Sequence, residues 1–92
     1  MSIKRCVHYF ERVSVQAKET DTFGENQYLV ALQTGGTMEQ PEIEYRDYQI
    51  INADIAEVAV EKYNEINNCS YFYGHCIGQV LPDGRVIRTD QF

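Results

Sequence analysis

One stretch of this sequence, from Asn52 to Asn67, has the periodicity of an amphipathic helix, and it constrains the fold more than any other feature. Asn52 or Asp54 is suited to cap its N-terminus, and Asp54 with Glu57 has the spacing of a capping box. Asn67 and Asn68 suit its C-terminal end, because Asn tolerates the left-handed backbone conformation. The apolar residues recur at spacings of three and four, along one side of the helix: Ile55, Ala56, Ala59, Val60, Tyr63 and Ile66. A helix with one apolar side has to bury that side, and the flanking sequence predicts a sheet as its partner.

The segments around this helix are rich in β-branched and aromatic residues, which predicts strands. We expect the first two strands to form a hairpin, with Tyr28, Val30 and Leu32 on one face of the second. A charged pair, Glu11 and Arg12, interrupts the first strand and suggests a bulge or an edge position. The turn Pro82–Asp83–Gly84 predicts a second hairpin at the end of the chain. The predicted strands are 3–18, 27–34, a short edge strand at 43–51 that is optional, 69–81 and 85–91.

These elements predict an α+β fold. We expect an antiparallel sheet of four or five strands with the amphipathic helix packed on one face, in the order ββ(β)αββ. Ninety-two residues make one domain, spanning 1–92. We expect it to be a monomer.

The sequence carries no sign of a membrane or secretory protein. No apolar run reaches the roughly 18 residues that a membrane span requires, and residues 1–18 lack the apolar core of a signal peptide. Three cysteines, Cys6, Cys69 and Cys76, are an odd number without a disulfide spacing, which favours reduced thiols. We therefore expect a cytoplasmic protein.

The sequence also lacks the usual signatures of catalysis. Cys6, His8, Cys69, His75 and Cys76 are the residues with metal-binding or nucleophilic chemistry, but their spacing fits no zinc motif, and His75 and Cys76 point to opposite faces of a strand. There is no nucleophile elbow and no phosphate-binding glycine loop. We predict that the protein is not an enzyme and binds no metal or cofactor.

An aromatic run, Tyr71 to Tyr73, precedes Gly74 and is a candidate platform for stacking nucleic-acid bases. RNA-recognition domains place a basic residue and a glycine before their stacking aromatics, and this sequence has neither. Alternate aromatics in a strand are usually packed against neighbouring strands. We therefore predict that this run belongs to the core.

The acidic surface is the most informative feature for function. The formal net charge is −6, and residues 1–18 are net basic, so the acidity is concentrated further along the chain. Glu57, Glu61 and Glu65 are four residues apart, a spacing at which like charges destabilise a helix. Such a surface repels nucleic-acid phosphates and attracts basic partners. We predict that these residues bind a partner: Asp21, Glu25, Glu39, Glu42, Glu44, Asp47, Asp54, Glu57, Glu61 and Glu65.

In size, acidity and layout the whole chain resembles the small phage-encoded anti-CRISPR proteins, in particular one that acts on the type I-F (Csy) surveillance complex. The likeness runs from MSIKRCVHYFERVSVQAKE through ADIAEVAVEKYNEINN to LPDGRVIRTDQF. It implies an inhibitor, in the cytoplasm of the host bacterium, that binds this multi-subunit CRISPR-Cas ribonucleoprotein. Such an inhibitor would occupy the basic surfaces that grip DNA and block target binding.

The physical chemistry of such a complex agrees with this implication, because an effector that opens duplex DNA presents Lys and Arg to phosphates. The basic N-terminal segment, with Lys4, Arg5 and Arg12, argues against mimicry of DNA by the whole molecule and allows contact with the guide RNA backbone. We expect no binding to free DNA. The alternative is a structural or regulatory interaction module of phage or bacterial origin whose acidity serves only solubility.

Overall fold

The computed structural model describes residues 4–9, 13–20 and 22–88. The described residues form six strands and one helix. In chain order the elements are β1 (Lys4–Tyr9), β2 (Val13–Glu19), β3 (Asn26–Thr34), β4 (Glu44–Ala53), α1 (Ala56–Ile66), β5 (Gly74–Val80) and β6 (Arg85–Ile87).

The six strands close into a barrel in the order β1-β2-β4-β3-β5-β6, with β6 returning to β1. Four of the pairings are antiparallel, but β1 pairs with β6 and β2 pairs with β4 in parallel. The predicted open antiparallel sheet of four or five strands, in the order ββ(β)αββ, is therefore wrong. The two parallel pairings that close the barrel are only two residues long each, for example Lys18 opposite Gln49, and no local sequence signal accompanies them.

The N-terminal segment accounts for much of this difference. It forms two paired strands, β1 and β2, with Val7 opposite Val15, where a single long strand at 3–18 was expected. The hairpin predicted between that strand and 27–34 is also wrong, because β3 pairs with β4 and β5. β4 lies between β2 and β3, so it is not the edge strand that 43–51 predicts. The predicted bulge at Glu11 and Arg12 lies outside the described residues.

The buried residues form two layers, one inside the barrel and one beneath the helix. β3 contributes to both, because Leu29 and Ala31 point into the barrel while Tyr28 and Val30 point to the helix. The prediction that Tyr28, Val30 and Leu32 share a face is confirmed. Residues in the barrel interior are Val7, Ala17, Leu29, Ala31, Ile50, Ile77 and Val80, and those beneath the helix are Tyr28, Val30, Ile51, Ala53, Ala59 and Tyr63.

The predicted amphipathic helix is confirmed, but its predicted N-terminal cap is wrong. The capping position belongs to Ile55, whose backbone is extended (φ −137°, ψ 160°) and whose side chain cannot accept a hydrogen bond. The Asp54 carboxylate accepts a hydrogen bond from the backbone N–H of Glu25 instead, at 3.0 Å. Ile55 and Ile66, both predicted on the buried side, are 53% and 44% exposed because they lie at the two ends, beyond the sheet.

The C-terminal hairpin is confirmed. β5 and β6 pair antiparallel around the predicted turn, where the Leu81 N–H donates to the Arg85 carbonyl at 2.8 Å and Gly84 has φ +91°. β5 begins at Gly74, later than the predicted 69. A Cβ at Gly74 would lie 2.5 Å from the Tyr63 ring, so glycine lets the start of the strand approach the helix. α1 has eleven residues, and no helix in the described part of the chain has the length and apolar character to span a bilayer.

Candidate functional site

The nine predicted partner-binding carboxylates that the structure describes are all exposed, whereas Asp21 lies outside the described residues. They fall into four groups. Glu25 and Asp54 lie together just before the N-terminus of the helix, Glu57, Glu61 and Glu65 lie along the helix, and Asp47 lines a cleft with Asn67 at the helix C-terminus. Glu39 and Glu42 belong to the β3–β4 connection, and Glu44 is the first residue of β4.

Most of these carboxylates form no ion pair with a described Lys or Arg. Among the described residues, ion pairs join Arg5 to Glu19, Arg46 to Glu44 and Arg85 to Asp83. Of the predicted set, only Glu44 is therefore paired within the described chain, and its 3.8 Å contact joins two exposed side chains. Exposed pairs of this kind contribute little to stability. Ion pairs among the described residues therefore leave most of these carboxylates without a cationic partner.

The single lysine of the helix does not compensate its glutamates. The Lys62 ammonium donates to the backbone carbonyl of Asn52 at 3.0 Å and to that of Phe23. These bonds join the helix to the end of β4 and to the β2–β3 connection. The stripe of Glu57, Glu61 and Glu65 consequently keeps the like-charge repulsion that its spacing predicts.

Asp47 occupies a distinctive backbone position. Two residues of β4, Asp47 and Tyr48, lie opposite the single residue Ala31 of β3, which is a β-bulge. Asp47 has φ +54°, in the left-handed region that most residues avoid. The Tyr63 hydroxyl donates to its backbone carbonyl at 2.9 Å, so the buried side of the helix holds the bulge. The Asp47 carboxylate is exposed beside the helix C-terminus.

A cleft lies beside Asp47 at the C-terminal end of the helix, and the sequence did not predict it. Its volume is about 310 Å³. It is lined by Leu32, Asp47, Tyr63, Asn67, Cys69, Ser70, Tyr71 and Phe72. Of these residues only Asp47 was predicted to bind a partner. The one sequence signal for the others is the aromatic run after the helix stop at Asn67 and Asn68.

That aromatic run is not part of the core, contrary to the prediction. Tyr71 is 76% exposed and Tyr73 is 55% exposed, on the connection between α1 and β5. The Tyr71 and Phe72 rings meet edge to face, with centroids 4.7 Å apart. Because this connection is not a strand, the alternation that would bury every second ring does not apply to it.

Asp47 and the C-terminal end of the helix bring negative charge to the cleft. Burial raises the pKa of Tyr63 to about 12, with further contributions from the nearby Asp47 carboxylate and from Cys69. The last turn of the helix contains no basic residue. The carbonyl end of a helix carries a partial negative charge, so the helix and Asp47 act in the same direction.

The cysteine and histidine side chains are dispersed. Within the part of the chain that the structure describes, no three His, Cys, Asp or Glu residues are grouped so that they could hold a metal ion. Cys6 is exposed, while Cys69 and Cys76 pack beside the helix layer. His8 contacts Ser14 at 2.6 Å, and His75 stacks on Tyr45 with ring centroids 5.7 Å apart.

The N-terminal hairpin supplies a basic wall next to β4. Lys4 and Lys18 lie directly opposite each other on β1 and β2, and both are exposed. Arg5 is instead engaged within the fold, because its guanidinium donates to Gln27 at 3.0 Å and to the Leu81 carbonyl at 3.3 Å. The exposed positive charges of Lys4 and Lys18 therefore lie on the β1–β2 hairpin, whereas the glutamate stripe lies on the helix.

Comparison of the chain with protein-family models, with curated proteins and with solved structures gave no match.

Proposed function

We propose that this domain is a non-catalytic binding protein that docks its acidic, helix-bearing side on a basic surface of a nucleic-acid-handling complex. One observation carries the proposal. Of the predicted carboxylates, only Glu44 forms an ion pair with another described residue, and Glu57, Glu61 and Glu65 repeat along the helix without an ion pair to any described cation. A partner that supplies Lys and Arg would relieve the repulsion along the helix and gain from charge complementarity.

In this proposal the carboxylates of the domain compete with nucleic-acid phosphates for the cations of the partner. A complex that grips nucleic acid holds cations along its binding channel, and carboxylates placed there occupy the same groups. The resemblance to anti-CRISPR proteins suggests a type I-F surveillance complex as the partner, with target DNA binding as the step that is blocked. That resemblance now rests on size and acidity, because the barrel differs from the layout that the sequence predicts.

The test uses purified type I-F surveillance complex and its target DNA in a gel-shift assay. The domain should bind the complex, and prior binding should prevent DNA binding. Reversal of the helix stripe, Glu57, Glu61 and Glu65 to Lys, should abolish both effects, and so should reversal of Glu39, Glu42, Glu44 and Asp47. Asp83→Lys is the matched control, because Asp83 lies on the β5–β6 turn and already pairs with Arg85.

Ionic strength gives a second readout. If carboxylates carry the contact, affinity for the complex should fall at least about tenfold between low and moderate salt. Failure to bind at low salt would reject this partner. Binding that is insensitive to salt, or that survives both reversals, would reject the acidic surface as the contact and favour a docking module whose acidity serves only solubility.

A further inference from the structure

The cleft at the helix C-terminus combines a carboxylate with an aromatic ring, and this combination suits one kind of ligand. Asp47 lines the cleft together with Tyr71 and Phe72 of the loop after the helix. Leu32 and Tyr63, which is 1% exposed, add to its apolar lining. A cleft that joins a carboxylate to apolar and aromatic surface favours a group that is both cationic and flat.

Asp47 is held in place before any ligand arrives. Its backbone is fixed by the bulge in β4 and by the hydrogen bond from the Tyr63 hydroxyl. The left-handed conformation at this residue is one that Asp and Asn adopt more readily than most other residues. A carboxylate on such a rigid support loses less conformational freedom on binding, which favours affinity.

Two sources of negative charge lie at the cleft. Asp47 contributes a carboxylate, and the C-terminal end of the helix, where Asn67 lines the cleft, contributes a partial negative charge. The Tyr63 hydroxyl is already engaged in its hydrogen bond to the Asp47 carbonyl.

Cations are present in the neighbouring cleft, on the other side of Asp47 and Asn67. That cleft is lined by Lys4 and Lys18 together with Gln16, Tyr48 and Gln49. Neither lysine forms an ion pair with Asp47. The carboxylate is therefore open to a cation from outside, although the two lysines compete weakly through their field.

We propose that this cleft takes the guanidinium group of an arginine on the surface of the basic partner, paired with Asp47 and stacked on Tyr71. The inference rests on the proposed function for the source of that arginine. Arginine fits better than lysine because its planar guanidinium pairs with a carboxylate through two parallel bonds and also stacks on aromatic rings. Tyr71 is exposed enough to offer one face of its ring.

The test is a titration of the ¹⁵N-labelled full chain with Nα-acetyl-arginine N-methylamide, followed by amide chemical shifts. Saturable shifts are expected at Asp47 and at residues 67–72, with a dissociation constant in the millimolar range for so small a ligand. The citrulline analogue has the same shape without the charge and should give no saturable shifts. The lysine analogue should bind more weakly.

Asp47→Asn removes the charge and keeps a residue that tolerates the left-handed conformation, so the fold should be retained. This variant should weaken arginine binding by about tenfold. Asp83→Asn, which removes a carboxylate on the β5–β6 turn that does not line the cleft, should leave it unchanged. Tyr71→Ala alters an exposed side chain, and it should also weaken binding.

Three results would overturn the inference: equal shifts with the citrulline analogue, shifts centred away from the cleft, or unchanged affinity in both Asp47→Asn and Tyr71→Ala. The experiment needs no macromolecular partner, so its outcome is separate from that of the proposed function. Arginine binding without any binding to the surveillance complex would refute the partner only, whereas salt-dependent docking without arginine binding would refute the cleft only.

Discussion

The Tyr63 hydroxyl donates a 2.9 Å hydrogen bond to the backbone carbonyl of Asp47, and through it the buried side of the helix holds the bulge of β4. One residue thus serves the core and the candidate site together. Tyr63 packs beneath the helix with 1% of its surface exposed, while Asp47 presents its carboxylate to solvent. The packing of the helix and the position of the acidic group are therefore coupled.

Tyr63→Phe tests this coupling. The substitution keeps the ring and leaves the Asp47 carbonyl without its donor, so the free energy of unfolding should fall by about 1–2 kcal/mol. Urea denaturation measures the change. Tyr73→Phe is the matched control, because the Tyr73 hydroxyl donates at 3.2 Å to the Ser70 carbonyl on an exposed loop, and it should change stability by less than about 0.5 kcal/mol. Equal effects of the two substitutions would contradict a special role for the Tyr63 bond.

Stability at high pH should also depend on Tyr63. Its pKa is raised from 10.0 to about 12 in the folded protein, so the unfolded chain loses this proton first as pH rises. The contribution of the protonated Tyr63 to the free energy of unfolding is fully present below pH 10. It is lost between pH 10 and 12, by up to about 1.4 kcal/mol per pH unit. Urea denaturation across this range should show the stability difference between the wild type and Tyr63→Phe shrinking. A constant difference would mean that the tyrosine titrates alike in both states.

The N-terminus of the helix offers a stabilising substitution. Ile55 occupies the capping position without a side-chain acceptor and is half exposed. Ile55→Ser supplies an oxygen for the first free N–H groups and should raise the free energy of unfolding by about 0.5–1 kcal/mol. Ile55→Ala is the control, because alanine removes the same apolar side chain without providing a cap. If serine and alanine behave alike in thermal denaturation, the capping position has been misplaced.

Repulsion along the helix stripe predicts a further gain. Glu61 stands four residues from both Glu57 and Glu65, and Glu61→Gln removes both like-charge pairs. The melting temperature at low ionic strength should rise by about 1–4 °C, and the gain should diminish as salt is added. Glu39→Gln, in the β3–β4 connection, is the control and should change the melting temperature much less. A lower melting temperature in Glu61→Gln would reveal a stabilising partner for this carboxylate.

Prediction from the sequence succeeded where the signal is local. The helix, the facing of Tyr28, Val30 and Leu32, and the terminal hairpin all follow from spacing over a few residues or from turn chemistry. Prediction failed where a distant segment decides the outcome. The central position of β4 and the parallel pairings of β1 with β6 and of β2 with β4 join residues that are far apart in the chain. The N-terminal hairpin is the exception, because it was missed although its two strands are close in sequence, with Lys4 opposite Lys18.

The candidate site divides in the same way. Acidic side chains are rarely buried, so the exposure of residues such as Glu57 and Glu61 could be expected from their type alone. The cleft could not be predicted, because it needs the bulge at Asp47, the end of the helix and the loop at Tyr71 to meet. Those three segments meet only after the helix has packed on β3, β4 and β5.

The sequence by itself determined the amphipathic helix, the β-rich remainder and a large excess of negative charge, since each depends on residue type and short-range spacing. Only the tertiary structure decided that the strands close into a barrel and that Asp47, Tyr63 and Tyr71 line one cleft. The physical reason is that closure depends on burying apolar side chains contributed by every strand at once. The free energy gained by this burial arises only in the assembled core. No single segment therefore carries a sequence pattern that predicts closure of the barrel.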